Sequence, residues 1–338
     1  MPITLILTTA VNAIAPVVLL ILLGYLLHRS GAMDDKFVKT GTKLGFNLFL
    51  PAMLFINVYS IESFRSIEWS IVIYGVIMLV VIFLLGLITA IAVTKVPERQ
   101  GVILQCSFRS NIAIIGLSLA AALGGEGAMA VAAIISSFTV PVVNILAVIA
   151  LSMFKKDGQN KTSIKSVLLG IAKNPLIIAV AIGMVFLGIR ELQWALFGEV
   201  VFSFSRDLKF LYTAVNNLKN IATPFALLVL GGQFEFSAVK GLLKEIVAGT
   251  VWRIVLAPLL GLGVAALLSS RMGWGINEFP GLVALFGSPV AVSSAVMAGA
   301  MGSDEQLATQ LVVWTSIFSI VTIFAEVCIL MGAGLLAV

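Results

Sequence analysis

The chain has 338 residues, 60% of them hydrophobic and only 11% charged, with a mean hydropathy of +1.12 and a formal net charge of +5. A soluble domain carries roughly 25% charged residues to keep its surface solvated, so most of the outer surface of this chain must face lipid. The positive charge lies in short loops rather than on a face interleaved with aromatics, which argues against a nucleic-acid binder, and the lone His28 cannot build a His-rich metal site.

A helix needs about 20 apolar residues to cross the hydrocarbon layer. Runs of that kind fall at 5–27, 44–61, 69–93, 102–122, 127–153, 167–189, 213–233, 246–270, 279–301 and 308–336. They predict an all-α integral membrane protein with ten transmembrane helices. The first run is too long for a signal-peptide core and is read as retained. The seventh is the poorest, because Asn216-Asn217-Leu218-Lys219-Asn220 leaves it only a short apolar remainder. Cys106 and Cys328 sit inside apolar runs and read as small packing residues, not as a disulfide.

Lys and Arg concentrate in the connections after odd-numbered runs, as at Lys36, Lys39, Lys43, Lys155 and Lys156. Cytoplasmic loops retain positive charge, so these connections are expected in the cytoplasm and both termini outside. The connection 190–212, with Arg190, Arg206 and Lys209, runs against that count and reads as an amphipathic helix on the outer surface.

The polar stretch from Lys155 to Thr162 divides the chain. The expected parts are a first five-helix repeat over 1–153, a cytoplasmic linker over 154–166 and a second repeat over 167–338. An odd number of spans per half makes the second half sit upside down relative to the first, the inverted-repeat architecture of many secondary transporters. Matching anchors occur in the two halves: Pro16 and Gly24 against Pro175 and Gly183, and Asn47 and Pro51 against Asn220 and Pro224. In the fourth and ninth runs, Asn111, Gly124 and Glu126 match Pro289, Gly302 and Asp304.

Those two runs are also disrupted near their middles, at Phe108-Arg109-Ser110-Asn111 and at Phe286-Gly287-Ser288-Pro289. Proline removes an amide donor and clashes with the preceding turn, so its helix kinks or splits. Broken helices are tolerated at mid-depth only where they line a cavity or pack inside protein. Two such breaks meeting would aim positive half-helix ends into one space, a site for a small anion. Arg109 costs roughly 2.5–3.5 kcal/mol at a helix centre and needs either a wet cavity or a partner, such as freed carbonyls or Glu326. The candidate binding residues are Arg109, Ser110, Asn111, Ser288, Pro289 and Val290, with Ser288 favoured among the serines because it adjoins the break. Asn144, Ser293, Ser294 and Glu326 are candidates for support or coupling. Glu326 is the one acid within the runs, so an anionic substrate fits better than a cationic one. Neither HExxH nor a nucleophile–His–acid set nor a P-loop is present, so no enzyme, cofactor or metal is expected.

The ordered pieces resemble the auxin efflux carrier family, which includes plant auxin carriers and bacterial malonate- or malate-type carriers. The resemblance is carried by Ala15-Pro16 with Gly24-Tyr25-Leu26-Leu27, Leu50-Pro51-Ala52-Met53-Leu54-Phe55, Phe108-Arg109-Ser110-Asn111 with Gly116-Leu117, and Pro141-Val142-Val143-Asn144. The second half adds Lys173-Asn174-Pro175, Thr223-Pro224 with Gly231-Gly232-Gln233, Ala257-Pro258 and the segment from Ser288 to Ser294. It implies ten helices in two inverted repeats, with broken helices four and nine crossing at mid-depth. It also implies a scaffold from the first two helices of each half, a mobile transport unit from the rest, elevator-like alternating access, a small organic anion as substrate and a homodimer. The family's crossover residues map onto Asn111 and Pro289. Ser118 stands where many relatives have a proline, which predicts a softer first break. The coupling ion is left open between proton and sodium. The alternatives are a sodium-coupled carrier of bulkier anions with the same crossover, and a channel or membrane sensor that moves nothing.

Overall fold

The computed structural model describes residues 3–61, 68–154 and 173–336. Most of the expected linker 154–166 and the first residues of the sixth run lie outside the described residues. Within them the chain is helical, and a single isolated two-residue bridge takes the place of any sheet. In chain order the helices are α1 (Ile3–Arg29), α2 (Asp35–Leu44), α3 (Leu50–Tyr59), α4 (Trp69–Val93), α5 (Pro97–Phe108), α6 (Leu117–Met153) and α7 (Pro175–Phe197). They continue with α8 (Phe204–Asp207), α9 (Lys209–Gln233), α10 (Ala238–Val251), α11 (Ala257–Met272), α12 (Phe279–Phe286), α13 (Ser293–Ala300) and α14 (Glu305–Gly332). Wide π-helical turns at Gly45–Phe49 and Trp252–Leu256 join α2 to α3 and α10 to α11, and another at Ile112–Gly116 leads into α6.

Side-chain caps and prolines fix several of the starts. Asp34 accepts from the Phe37 amide at 2.7 Å to open α2, and Asp304 accepts from Leu307 at 2.8 Å to open α14. Asn174 caps α7 in the same way, with Pro175 at the first helical position, where its missing amide costs nothing.

Six continuous helical segments are long and apolar enough to cross a membrane: Asp35–Tyr59, Trp69–Val93, Leu117–Met153, Pro175–Phe197, Ala238–Met272 and Glu305–Gly332. The fourth and ninth sequence runs are not among them because each is interrupted. The boundary expected between runs four and five is a kink, not a loop: α6 runs through it, and Gly125 takes φ 72° inside the helix. The connection 190–212 differs from expectation too. Helix α7 continues to Phe197, α9 begins at Lys209, and between them stands only the four-residue α8, not an amphipathic surface helix.

Helix α1 packs on α9, and α3 packs on α7. The first pair approaches closely at Gly24 and Gly231, where a β-carbon on either would strike the backbone of the opposite helix. The most enclosed element is α12, all of whose residues are buried. Side chains such as Leu22, Ile88, Leu267 and Ile329 stay exposed on the perimeter, as a lipid-facing surface requires.

Candidate functional site

The buried interior is organised around two gaps in helix. Helix α5 stops at Phe108, and Arg109 (φ −86°, ψ 101°) and Asn111 (φ −89°, ψ 44°) leave helical geometry before the chain coils again at Ile112. The softer break expected from Ser118 is not what forms: without any proline, the helix opens fully. The second gap runs from Gly287 to Val292, between α12 and α13.

The gaps meet. Ser110 and Val290 form an antiparallel bridge, the Asn111 amide donates to the Pro289 carbonyl at 2.8 Å, and the Ala291 amide donates to the Arg109 carbonyl at 3.3 Å. The Val290 amide donates to Thr315 Oγ1 of α14 at 3.2 Å. Each break thus supplies partners for the backbone groups the other has freed, as a dry interior demands.

The carbonyls at the end of α12 are held by a different group. Arg253, fully buried in the Trp252–Leu256 turn, donates to the carbonyls of Ser288 at 2.9 Å, Leu285 at 3.1 Å and Phe286 at 2.5 Å. The sequence allows such a role for Arg109, but Arg109 turns instead to side chains. Its Nη2 donates to Asn144 Oδ1 at 2.9 Å and Ser293 Oγ at 2.8 Å, and its Nη1 contacts the Met297 sulfur. These partners are all neutral, and among the described residues no carboxylate is paired with it. Arg109 is therefore a cation only 3% exposed with no counter-ion.

Beside it is a cavity of about 50 Å³, bordered by Arg109, Ser110, Asn111, Asn144 and Ser293 and, across from them, by Asn57 and Thr223. The Ser110 hydroxyl and the Asn111 side-chain amide nitrogen are buried without a hydrogen-bond partner. This cavity adjoins a larger one of about 430 Å³, which shares Asn57 and Thr223 and adds Ser60, Ser136, Lys219 and Asn220.

Of the sequence candidates, Arg109, Ser110, Asn111, Asn144 and Ser293 come together here. Ser288, Pro289 and Val290 lie behind the wall: the Ser288 hydroxyl donates back to the Ala284 carbonyl at 2.7 Å, and Val292 and Ala291 form the surface instead. Ser294 is buried with its hydroxyl unpartnered, outside the cavity. Glu326 is separate from Arg109 and stands near Arg253.

The model of a family described as membrane transport protein, the auxin efflux carrier family, matches residues 9–325, nearly the whole chain. The chain belongs to this family. No curated protein matches it. In this auxin efflux carrier family member, sequence reasoning missed Asn57, Lys219, Asn220 and Thr223 as cavity residues. For Lys219 and Asn220 the signal was present, since both lie in the polar run Asn216–Asn220 that makes the seventh span look poor. Arg253 is a charge inside an apolar run, and nothing in that run announces which carbonyls it holds.

Proposed function

We propose that this protein is a secondary carrier of a small organic anion, with the cavity at the two breaks as its binding site. The observation that carries the reading is Arg109, a buried cation whose partners are neutral and which adjoins two donor groups, on Ser110 and Asn111, that have none. An unpaired buried charge is costly, and a carboxylate arriving there would supply the missing counter-ion and accept the orphaned donors. A water needs roughly 10–15 Å³ of such space, so the inner cavity of about 50 Å³ holds a head group of a few heavy atoms. The remainder of the solute extends past Asn57 and Thr223 into the larger cavity, where Lys219 adds a second positive charge.

The same reading takes the chain as ten spans in two inverted halves. The six long segments, with α6 counted from its kink at Gly125, are joined by α1, by α9, by the broken span of α5 with the start of α6, and by α12–α13. Support comes from the pairing of the first span with the seventh (α1 on α9) and the second with the sixth (α3 on α7), partners that an inverted repeat exchanges. Gly125 and Gly302, which follow the two broken helices, both take positive φ, at 72° and 66°. The scaffold is then α1 to α3 with α7 and α9, and the moving unit is α4 to α6 with α10 to α14. In this reading, with the loop charges taken as cytoplasmic, the open vestibule faces outside and the chain is in an outward-facing state of an elevator cycle.

The test is counterflow of small carboxylates in proteoliposomes, with thermal shift of the purified protein to find the solute. Arg109→Ala and Asn111→Ala are expected to remove uptake and the solute-induced shift while the protein stays folded. A lost charge-assisted bond of about 1.5–3 kcal/mol corresponds to roughly 10- to 150-fold in affinity. Wild-type uptake by Arg109→Ala would overturn the assignment, and conductance that does not saturate would favour a channel.

A further inference from the structure

Glu326 takes no part in the cavity beside Arg109, yet its surroundings are unusual. It lies on α14, and its carboxyl presses on Gly287, the first residue of the second break, so closely that a methyl group on Gly287 would collide with Oε2. Both carboxyl oxygens are buried and neither has a hydrogen-bond partner. The residue borders a cavity of about 320 Å³ between the Trp252–Leu256 turn, α11 and α14, whose wall is otherwise built from residues such as Ile254, Leu259, Leu262 and Ile329.

The groups that face it are few. From the turn comes Arg253, the charge whose field reaches the carboxyl. Helices α12 and α13 contain no titratable residue, and α11 has only Arg271 in its last turn. From α5, Cys106 lies against Arg253, and α14 itself adds Cys328 two residues on. Arg253 is engaged with the carbonyls that end α12 and makes no ion pair with Glu326. An ionised Glu326 would therefore be a bare charge in an apolar wall, whereas the protonated acid is neutral there. Loss of that proton would draw Arg253, the cation whose field reaches it, away from the α12 carbonyls. Protonation of one side chain is thereby linked to how the second break is held.

We propose that Glu326 is the proton-binding site of the carrier, so that the coupling ion is a proton carried on the moving unit. The proposal deepens the carrier reading and rests on it. Only a proton is gained and lost at the carboxyl, with no other bond made or broken. The experiment has two arms on the full chain in lipid. In the first, infrared spectra across a pH titration, with no solute present, are read for the C=O band of a protonated carboxyl. Wild type is expected to show a titrating band that Glu326→Gln removes and that Glu326→Asp and Gly287→Ala shift in midpoint. A band unchanged in Glu326→Gln would overturn the proposal, as would midpoints unmoved in both other variants if Glu326→Gln does not fold. In the second arm, a pH gradient imposed on proteoliposomes is expected to stimulate wild-type uptake and to leave Glu326→Gln indifferent. Equal stimulation of the two would overturn it. Because the first arm contains no solute, failure of the anion-carrier reading leaves its result standing, and the two failures are told apart.

Discussion

Two buried arginines sit within one core, and their partners separate their roles. Arg253 is saturated by main-chain carbonyls and closes the end of α12, while Arg109 holds neutral side chains at the edge of a cavity. Opposite consequences follow for stability. Arg253→Met removes the donor from the carbonyls of Leu285, Phe286 and Ser288, and each orphaned group costs about 1–3 kcal/mol. Lysine, a point charge on a flexible stem, does not reproduce the fork that reaches three carbonyls at once. Thermal unfolding of the purified protein should therefore show a large loss for both Arg253→Met and Arg253→Lys. Arg109→Met deletes a charge that has no counter-ion, and replacing a buried charge by an apolar group of similar volume is often neutral or stabilising. Its melting temperature should match or exceed that of the wild type although transport is gone. A wild-type melting curve for Arg253→Met would mean that water or another donor ends α12.

At the scale of the element, α9 shows how a helix that spans poorly by hydropathy is suited to line a solvated space. Its polar run exposes Lys219 and Asn220 to the larger cavity, while Ala226, Leu227 and Leu230 further along are buried. Lys219 borders only the larger cavity and not the inner one beside Arg109, so its effect on the bound head group is one of field. Lys219→Ala should raise KM several-fold with little change in kcat, and the difference should shrink as salt is added, since screening acts over about 8 Å at physiological ionic strength. A kcat defect that salt does not alter would place Lys219 in the conformational step instead. The same helix marks the limit of sequence reading. Disruptions at Asn111 and Pro289 were legible because proline, asparagine and a charge stand out in an apolar run, and α4 was legible to the residue because nothing interrupts it. The pairing of the two breaks runs through amides and carbonyls, which every residue has, so no residue type announces it. The inward turn of Ser288 is a choice of rotamer that adjacency to the break does not decide.

Across the whole molecule, polarity is asymmetric along the two spans that border the cavity and that the proposed carrier would use as scaffold. Along α2 and α3 the order is Thr42, then Leu50 to Asn57 at the inner cavity, then Ser60 at the larger one; along α9 it is Gln233, Thr223, Lys219 in the opposite direction of chain. The Thr42 and Gln233 end is shut. Gln233 Nε2 donates to Thr42 Oγ1 at 2.8 Å and to Glu305 Oε1 of α14, and Thr309 Oγ1 of α14 donates to Gln233 Oε1 at 3.3 Å. Gln306 Nε2 adds a bond to the Gln233 carbonyl at 3.0 Å. If the moving unit slides past the scaffold, the bonds to Glu305, Thr309 and Gln306 must break, because Gln233 belongs to one body and α14 to the other. Gln233→Ala removes two of these, to Glu305 and Thr309, of which the one to Glu305 is charge-assisted. A loss of about 1.5–3 kcal/mol shifts a two-state ratio roughly 10- to 150-fold toward the state open at the Gln233 end. Asn57→Cys, in a chain whose Cys106 and Cys328 are replaced by alanine, reports the shift, since Asn57 borders both cavities on the open side. A thiol reagent that does not cross the bilayer, applied from outside, should label that cysteine readily and should label it much more slowly once Gln233→Ala is added. Equal labelling rates would show that the polar cluster does not hold the closed end, and labelling only from inside would invert the orientation that the loop charges imply.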